Sequence, residues 1–265
     1  MSAPAGIEAP EGDARALLDA LSGVERPWLV ERSVRVAGTT LRPGRFLVSF
    51  PRGALGPGPS RVLRGICMDL GLEEQAFAPL DALQSAAVSV HFGFEPEPGG
   101  ARVKCYLEFP ADARPERDAV FLALKWKPGQ QGHHVLTRYL ARDGLRPDAQ
   151  AALIRDIVEA GALRDLMLGA LDLAGTAPGL RLLEVVEDAN PRRSVDLNLA
   201  DARMTLEAAG DLLLPVMGPA RGGRAYLDAH AGDRLGHVAA GTGRDGRPFF
   251  TLYHGARRLH AGEPA

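Results

Sequence analysis

The chain has 265 residues, 46% of them hydrophobic and 24% charged, enough apolar material for a large buried core. Its formal net charge is -2, so no global positive field gathers nucleic acid or an anionic membrane surface, and neither is an expected partner. The opening MSAPAGIEAPEGDAR has no basic segment followed by an apolar core, and no run approaches the ~18 apolar residues of a membrane span. The cysteines, Cys67 and Cys105, each sit in an apolar segment and read as buried free thiols, which makes the cytoplasm the expected compartment.

Residues 1–12 are expected to be disordered, and DARALLDAL (13–21) opens the patterned chain with helical spacing. WLVERSVRV (28–36) and RFLVSFP (45–51) both have strand character and are joined by the turn-rich AGTTLRPG, which predicts a hairpin. RVLRGICMDLG (61–71) is a second helix. A second hairpin follows in SVHFGFE (89–95), EPEPGG and ARVKCYLEF, and a third in VFLALKWK (120–127), PGQQG and HHVLTRYL. The connection PADARPERDA between them has room for a helical turn at most. One long helix is expected over 148–174, with Asp148 at its start, then a hairpin of LRLLEVVE (180–187), DANP and RRSVDLNL. A helix over 200–216, headed by Asp201, precedes the last hairpin, LGHVAAG (235–241), TGRDG and RPFFTLYHG, and 256–265 reads as a tail.

About five serial hairpins interleaved with helices, with no linker between them, predict one α+β domain over 1–265. A sheet of about ten antiparallel strands has two free edges unless it closes, and that size is where open twisted sheets curl or split. The expected fold is therefore an antiparallel β-barrel of about ten strands surrounded by helices. Its apolar strand face (Phe92, Cys105, Leu124, Leu197 and Leu252 among others) packs under the helices, and the polar face turns inward to a lumen too wide for side chains alone to fill. The competing reading is an open sheet whose polar face is simply solvated.

In the barrel the inward set is Arg45 and Ser49, then His91, Glu95, Arg102, Lys104, Tyr106 and Glu108, then Lys125 and Lys127, with Arg138 if its strand keeps the same phase. The fourth hairpin adds Ser194, Asp196 and Asn198, and the fifth Thr251 and Tyr253. Arg forks, Lys point charges and Tyr hydroxyls together suit a multiply charged anion such as a diphosphate. His91 and Glu95, four apart on one strand face, read as a satisfied hydrogen bond before a catalytic dyad. His133 and His134 lie by a solvated turn rather than at a metal, and TGRDG, lacking a following Lys-Ser/Thr and helix, reads as a hairpin turn. No DDxxD cluster, Walker loop, CxxC pair, HExxH or Gly-x-Ser-x-Gly elbow is present, and no metal site is assigned.

The layout from GRFLVSFP through the helix ending CMDLGL to SVHFGFEPEPGGARVKCYLEF resembles the ABBA-type (PT-barrel) prenyltransferase family, nearest in layout to its cyanobactin-type peptide-modifying branch. The resemblance implies transfer of an isoprenoid from its diphosphate to a small-molecule or peptide acceptor without a DDxxD motif. Arg45, Lys104, Tyr106, Lys125, Arg138 and Tyr253 would then contact diphosphate, Glu31 or Glu108 would orient the acceptor or take its proton, and His91, Asp196, Asn198 and Thr251 would line the rest of the lumen. Tyr106, Phe121, Tyr226, Phe249 and Tyr253 are the aromatics available to shield a prenyl chain. No cofactor is assigned, and Mg2+ is kept as an alternative. The alternative function is a non-catalytic barrel that holds an anionic metabolite or peptide for a partner enzyme.

Overall fold

Ten strands hydrogen-bond in one closed antiparallel order, β1-β10-β9-β8-β7-β6-β5-β4-β3-β2, in a computed structural model that describes residues 12–116, 118–142, 144–175, 181–188 and 190–263. The strands are β1 (Trp28–Ala37), β2 (Thr40–Pro51), β3 (Ser89–Glu97), β4 (Gly100–Glu108), β5 (Ala119–Trp126), β6 (His134–Ala141), β7 (Arg181–Glu187), β8 (Arg193–Asn198), β9 (Leu235–Thr242) and β10 (Pro248–Leu259). The helices are α1 (Asp13–Ala20), α2 (Pro59–Asp69), α3 (Ala78–Leu83), α4 (Pro147–Ile157), α5 (Ala162–Ala174), α6 (Gly210–Met217) and α7 (Gly223–Ala229). The α+β barrel fold class follows directly, and the closed order rules out the open sheet.

All five hairpins stand where alternation and turn residues put them. The helices differ more. The helix expected over 148–174 is two: Val158 leaves α4 in an extended conformation, and Gly161 opens α5 at φ 115°, a backbone angle that side-chain-bearing residues rarely adopt. Of the helix expected over 200–216, residues 200–202 form only a 3-10 turn, and α6 starts at Gly210. Asp201 sits in that short turn, while Asp148 does occupy the first turn of α4, behind Pro147. Helices α3 and α7 were not expected from the sequence. The tail expected from 256 begins later, because β10 runs on to Leu259; of the N-terminal segment expected to be disordered, residues 1–11 lie outside the described residues. No described helix is long and apolar enough to cross a membrane.

By internal contacts the described residues divide into two compact units, one drawn from 12–32, 44–138 and 257–263, the other from 33–43 and 139–256. In the first, Val48, Phe92, Cys105 and Leu124 share one face of consecutive strands and are fully buried under Leu17 of α1, Leu63 and Cys67 of α2, and Leu80 of α3. Burying each such large side chain contributes about 1.5–3 kcal/mol. The CMDLGL stretch ends α2 with a Schellman turn: Leu72 N–H donates to the Cys67 carbonyl at 3.0 Å and Gly71 N–H to that of Met68 at 2.8 Å, with Gly71 at φ 75°. That turn is pinned by Trp126, whose indole N–H donates to the Leu70 carbonyl at 2.9 Å. Cys67 and Cys105 are free and buried; burial first, and the hydrogen-bonded Cys105 second, push the Cys67 thiol well above its ordinary pKa.

In the second unit Val195 and Leu197 of β8, Val238 and Ala240 of β9, and Phe250 and Leu252 of β10 form one apolar face. They pack with Ile154 of α4, Met167 and Ala170 of α5, Leu213 and Met217 of α6, and Leu227 of α7. In both units the apolar strand face meets helices, which leaves the alternate residues of each strand on the other, polar face.

Candidate functional site

The polar face of the first unit is a ladder whose rungs are set by register. Gly93 of β3 lies opposite Lys104 of β4, and Lys104 opposite Lys125 of β5; one pleat away, Ser49, His91, Tyr106 and Ala123 form the next rung. Arg45 and Lys104 are each 7% exposed and Lys125 1%. Burying cations this deeply is costly unless they are paired and hydrogen-bonded. Glu95, itself buried, supplies one such partner: its Oε1 accepts hydrogen bonds from both the Arg45 guanidinium and the Lys104 ammonium. Gly93 makes room, since a Cβ there would meet Lys104 Cδ at 3.3 Å and Leu47 Cδ1 at 3.5 Å.

Two flanking groups extend the ladder. Toward the β3–β4 turn, Glu97 receives Arg102 through Nε at 2.8 Å and Nη2 at 3.1 Å, and pairs with Lys127 Nζ at 2.8 Å. Burial pushes the Glu97 carboxyl up, but the Arg102 and Lys127 hydrogen bonds and charges outweigh it, so its pKa lies below the ordinary value. On the other side His91 Nδ1 meets Ser49 Oγ at 2.8 Å, while its Nε2 stands 3.3 Å from Glu108 Oε2. Tyr106 and Phe121 present edge-to-face contacts to the His91 ring, at 6.3 and 5.6 Å between centroids.

Among the site residues expected from the sequence, the structure brings Arg45, Lys104, Tyr106, Lys125, His91 and Glu108 onto this one face of four adjacent strands. Glu31 of β1 lies on the face opposite Trp28 and Val30, which are in the apolar core. Arg138 takes the other phase of its strand: Leu136, two residues before it, packs on the apolar cluster, and Arg138 pairs with Glu116 at 3.1 Å. The condition attached to Arg138, that β6 keep the common phase, is thus not met. His91 and Glu95 do not bond to each other; each has partners on neighbouring strands.

The second unit carries its own polar face. Asp196 Oδ1 accepts from His237 Nδ1–H at 2.8 Å, and the His237 ring stacks on Tyr253 at 3.7 Å and 11°. Thr251 is buried on the same face of β10 as Tyr253. Asn198 is exposed at the end of β8 and uses its Oδ1 to accept from the Ala200 N–H at 3.0 Å, a local turn. Glu187 is held by Arg192 at 2.5 Å and by both forks of Arg244 at 2.7 Å, so the TGRDG segment is a hairpin turn that docks its arginine. Tyr226, expected among the aromatics that shield a prenyl chain in the lumen, instead lies on α7 against the apolar cluster. Glu184, by its register with Val195, faces the helix side, where it accepts from Arg142 and Arg193. Burial lowers the Arg193 pKa, but its bonds to Glu184 and Asp156 prevail and leave it raised.

Sequence reasoning missed Glu95 and Glu97 as clamps and His237 altogether. The signal for His237 was present: it precedes Val238 and Ala240, so alternation already sets it on the polar face.

No protein-family model matches the sequence, and no curated protein matches it significantly. Solved structures do match by shape. The 5-dimethylallyltryptophan synthase from Streptomyces coelicolor superposes with a TM-score of 0.59 at 18% identity, over 94% of this chain and 92% of that one. AnaPT from Neosartorya fischeri superposes with a TM-score of 0.51 at 13% identity, over 85% of this chain and 77% of that one. The chain has the prenyltransferase-barrel fold. Within that fold, the clamped cations of β2 to β5 form the candidate site.

Proposed function

We propose that this barrel is a prenyltransferase that moves an isoprenoid from its diphosphate to an aromatic acceptor, a small molecule or a peptide. The observation that carries the reading is the convergence of Arg45, Lys104 and Lys125, all buried, on one polar face of a fold shared with 5-dimethylallyltryptophan synthase. That relative's name pairs a dimethylallyl group with tryptophan, which supports a short allylic diphosphate and an indole-type acceptor as the first chemical classes to try.

The chemistry follows from the residue types. The allylic carbon–oxygen bond breaks heterolytically and its electron pair leaves with the diphosphate, whose oxygens accept hydrogen bonds from Arg45, Lys104, Lys125 and Tyr106. Donors fixed in a low-dielectric site stabilise that developing charge without reorganising. Glu95 holds Arg45 and Lys104 in position beforehand. The acceptor's π electrons form the new bond to the allylic carbon, and the ring carbon's proton passes to a carboxylate, Glu108 beside His91 or Glu31. Phe121 and Tyr106 shield the cation from water. Tyr253, also assigned to the diphosphate by the resemblance, lies with Asp196 and Thr251 on the second unit's own polar face. Glu95 and Glu97 are engaged by cations, so any Mg2+ would come with the diphosphate, and cytoplasmic residence fits the two reduced thiols.

The test is incubation of the full chain with labelled dimethylallyl or geranyl diphosphate and indole-containing acceptors, with and without Mg2+. Labelled product and released diphosphate support the reading. Tight binding of the diphosphates with no transfer to any acceptor would replace it with an accessory, non-catalytic role.

A further inference from the structure

Away from the polar strand faces, the second unit holds a cluster that prenyl transfer does not use. His254 of β10 is fully buried, on the same strand face as Phe250 and Leu252, and Asp233 and His230 approach it from the segment after α7. Asp233 Oδ2 lies 2.9 Å from His254 Nδ1 and 3.1 Å from His230 Nδ1, and one ligand atom from each residue falls within 4.8 Å of the others. The Tyr226 hydroxyl meets His254 Nε2 at 2.8 Å.

We propose that His230, Asp233 and His254 form a binding site for a divalent first-row cation of the Zn2+ class. Two imidazole nitrogens and one carboxylate oxygen are the donors such an ion takes, at about 2.0–2.2 Å each. His254 keeps the regular alternation of β10, on the face of Phe250 and Leu252, and two features outside the triad aim it. Gly255 stands at φ 65°, and a Cβ there would come within 2.9 Å of Asp233 Oδ2, so the backbone is shaped to admit the carboxylate. Tyr226 grips the far nitrogen of His254, the outer partner that orients a ligating imidazole. With no ion, His254 Nδ1–H donates to Asp233 and Nε2 accepts from Tyr226. On metal binding the neutral ring changes tautomer: its single proton moves from Nδ1 to Nε2, which then donates to the Tyr226 oxygen, and the bare Nδ1 becomes the ligand. His230 and Asp233 side chains are each 26% exposed, which leaves the ion a way in and room for water as a further ligand.

The opposing account is a hydrogen-bond network that merely ties the α7–β9 segment to β10. To decide, the tag-free full chain is dialysed against a chelator and titrated with Zn2+ by calorimetry, then with Co2+ by visible absorption. Binding of one equivalent, a rise in melting temperature with Zn2+, and Co2+ d–d bands without thiolate charge transfer are expected. His230→Ala and Asp233→Asn, checked for native circular dichroism, should each weaken Zn2+ by at least tenfold. The proposal is overturned if the wild type binds no Zn2+, if Co2+ shows thiolate ligation, or if both folded variants bind as tightly as the wild type. None of these readouts depends on prenyl transfer.

Discussion

Lys104 and Lys125 stand directly opposite each other on β4 and β5, both buried, with Glu95 of the next strand bonded to Lys104. Like charges facing across a sheet are destabilising by themselves. Glu95 offsets part of that cost, and a bound anion would offset more. Lys104→Met keeps the stem over Gly93 and removes the charge. It is expected to weaken diphosphate binding by tenfold or more, in line with the ~1.5–3 kcal/mol of a charged hydrogen bond, and to leave thermal stability nearly unchanged. Calorimetric titration with dimethylallyl diphosphate, beside a melting curve, measures both. Normal affinity in the variant removes Lys104 from the site.

Gly93→Ala tests the same rung through space alone. The added methyl would press on Lys104 Cδ at 3.3 Å, so the ammonium must shift although no charge is lost. Diphosphate affinity should fall severalfold with a cost in stability of about 1–3 kcal/mol. Unchanged affinity would mean that the Lys104 position is not critical.

Glu97 makes a pH-dependent contribution. Its folded pKa is lowered, so its stabilising effect is fully present above the ordinary carboxylate pKa and is lost as pH falls through the lowered value. Denaturation midpoints of wild type and Glu97→Gln should therefore differ at pH 7 and converge in acid. A gap that persists in strong acid would point to packing rather than charge.

The two thiols are buried, and that of Cys67 is held neutral by burial and by Cys105. Neither should react with a disulfide reagent in the native protein, and both should react once denaturant is added. Rapid native labelling would show that α2 opens readily from β4.

Trp126→Phe should cost about 1–3 kcal/mol, because the Leu70 carbonyl loses its indole donor where little water reaches it. The midpoint in urea reads this. A smaller loss would mean that water replaces the indole N–H.

The hairpins were legible because alternation is a local signal: Val103, Cys105 and Leu107 point one way and Lys104 and Tyr106 the other, whatever the rest of the chain does. Helix limits were less so. The break at Gly161 depends on one backbone angle, and periodic apolar residues on both sides of it read as continuous. Arg138 shows the limit on strands as well: with Leu136, Tyr139 and Leu140 all apolar or amphipathic, HHVLTRYL has no clean phase, and only packing of Leu136 on the core decided it.

The amino-acid order determines which face each strand side chain takes, since a period of two needs no partner. It does not determine which residues meet. That Glu95 closes on Arg45, 50 residues away, and on Lys104, 9 away, is a matter of strand register, and register is set by turn geometry and by burial of the opposite apolar face. The same holds for His230, Asp233 and His254, whose approach needs a left-handed glycine that no pattern of hydrophobicity reveals.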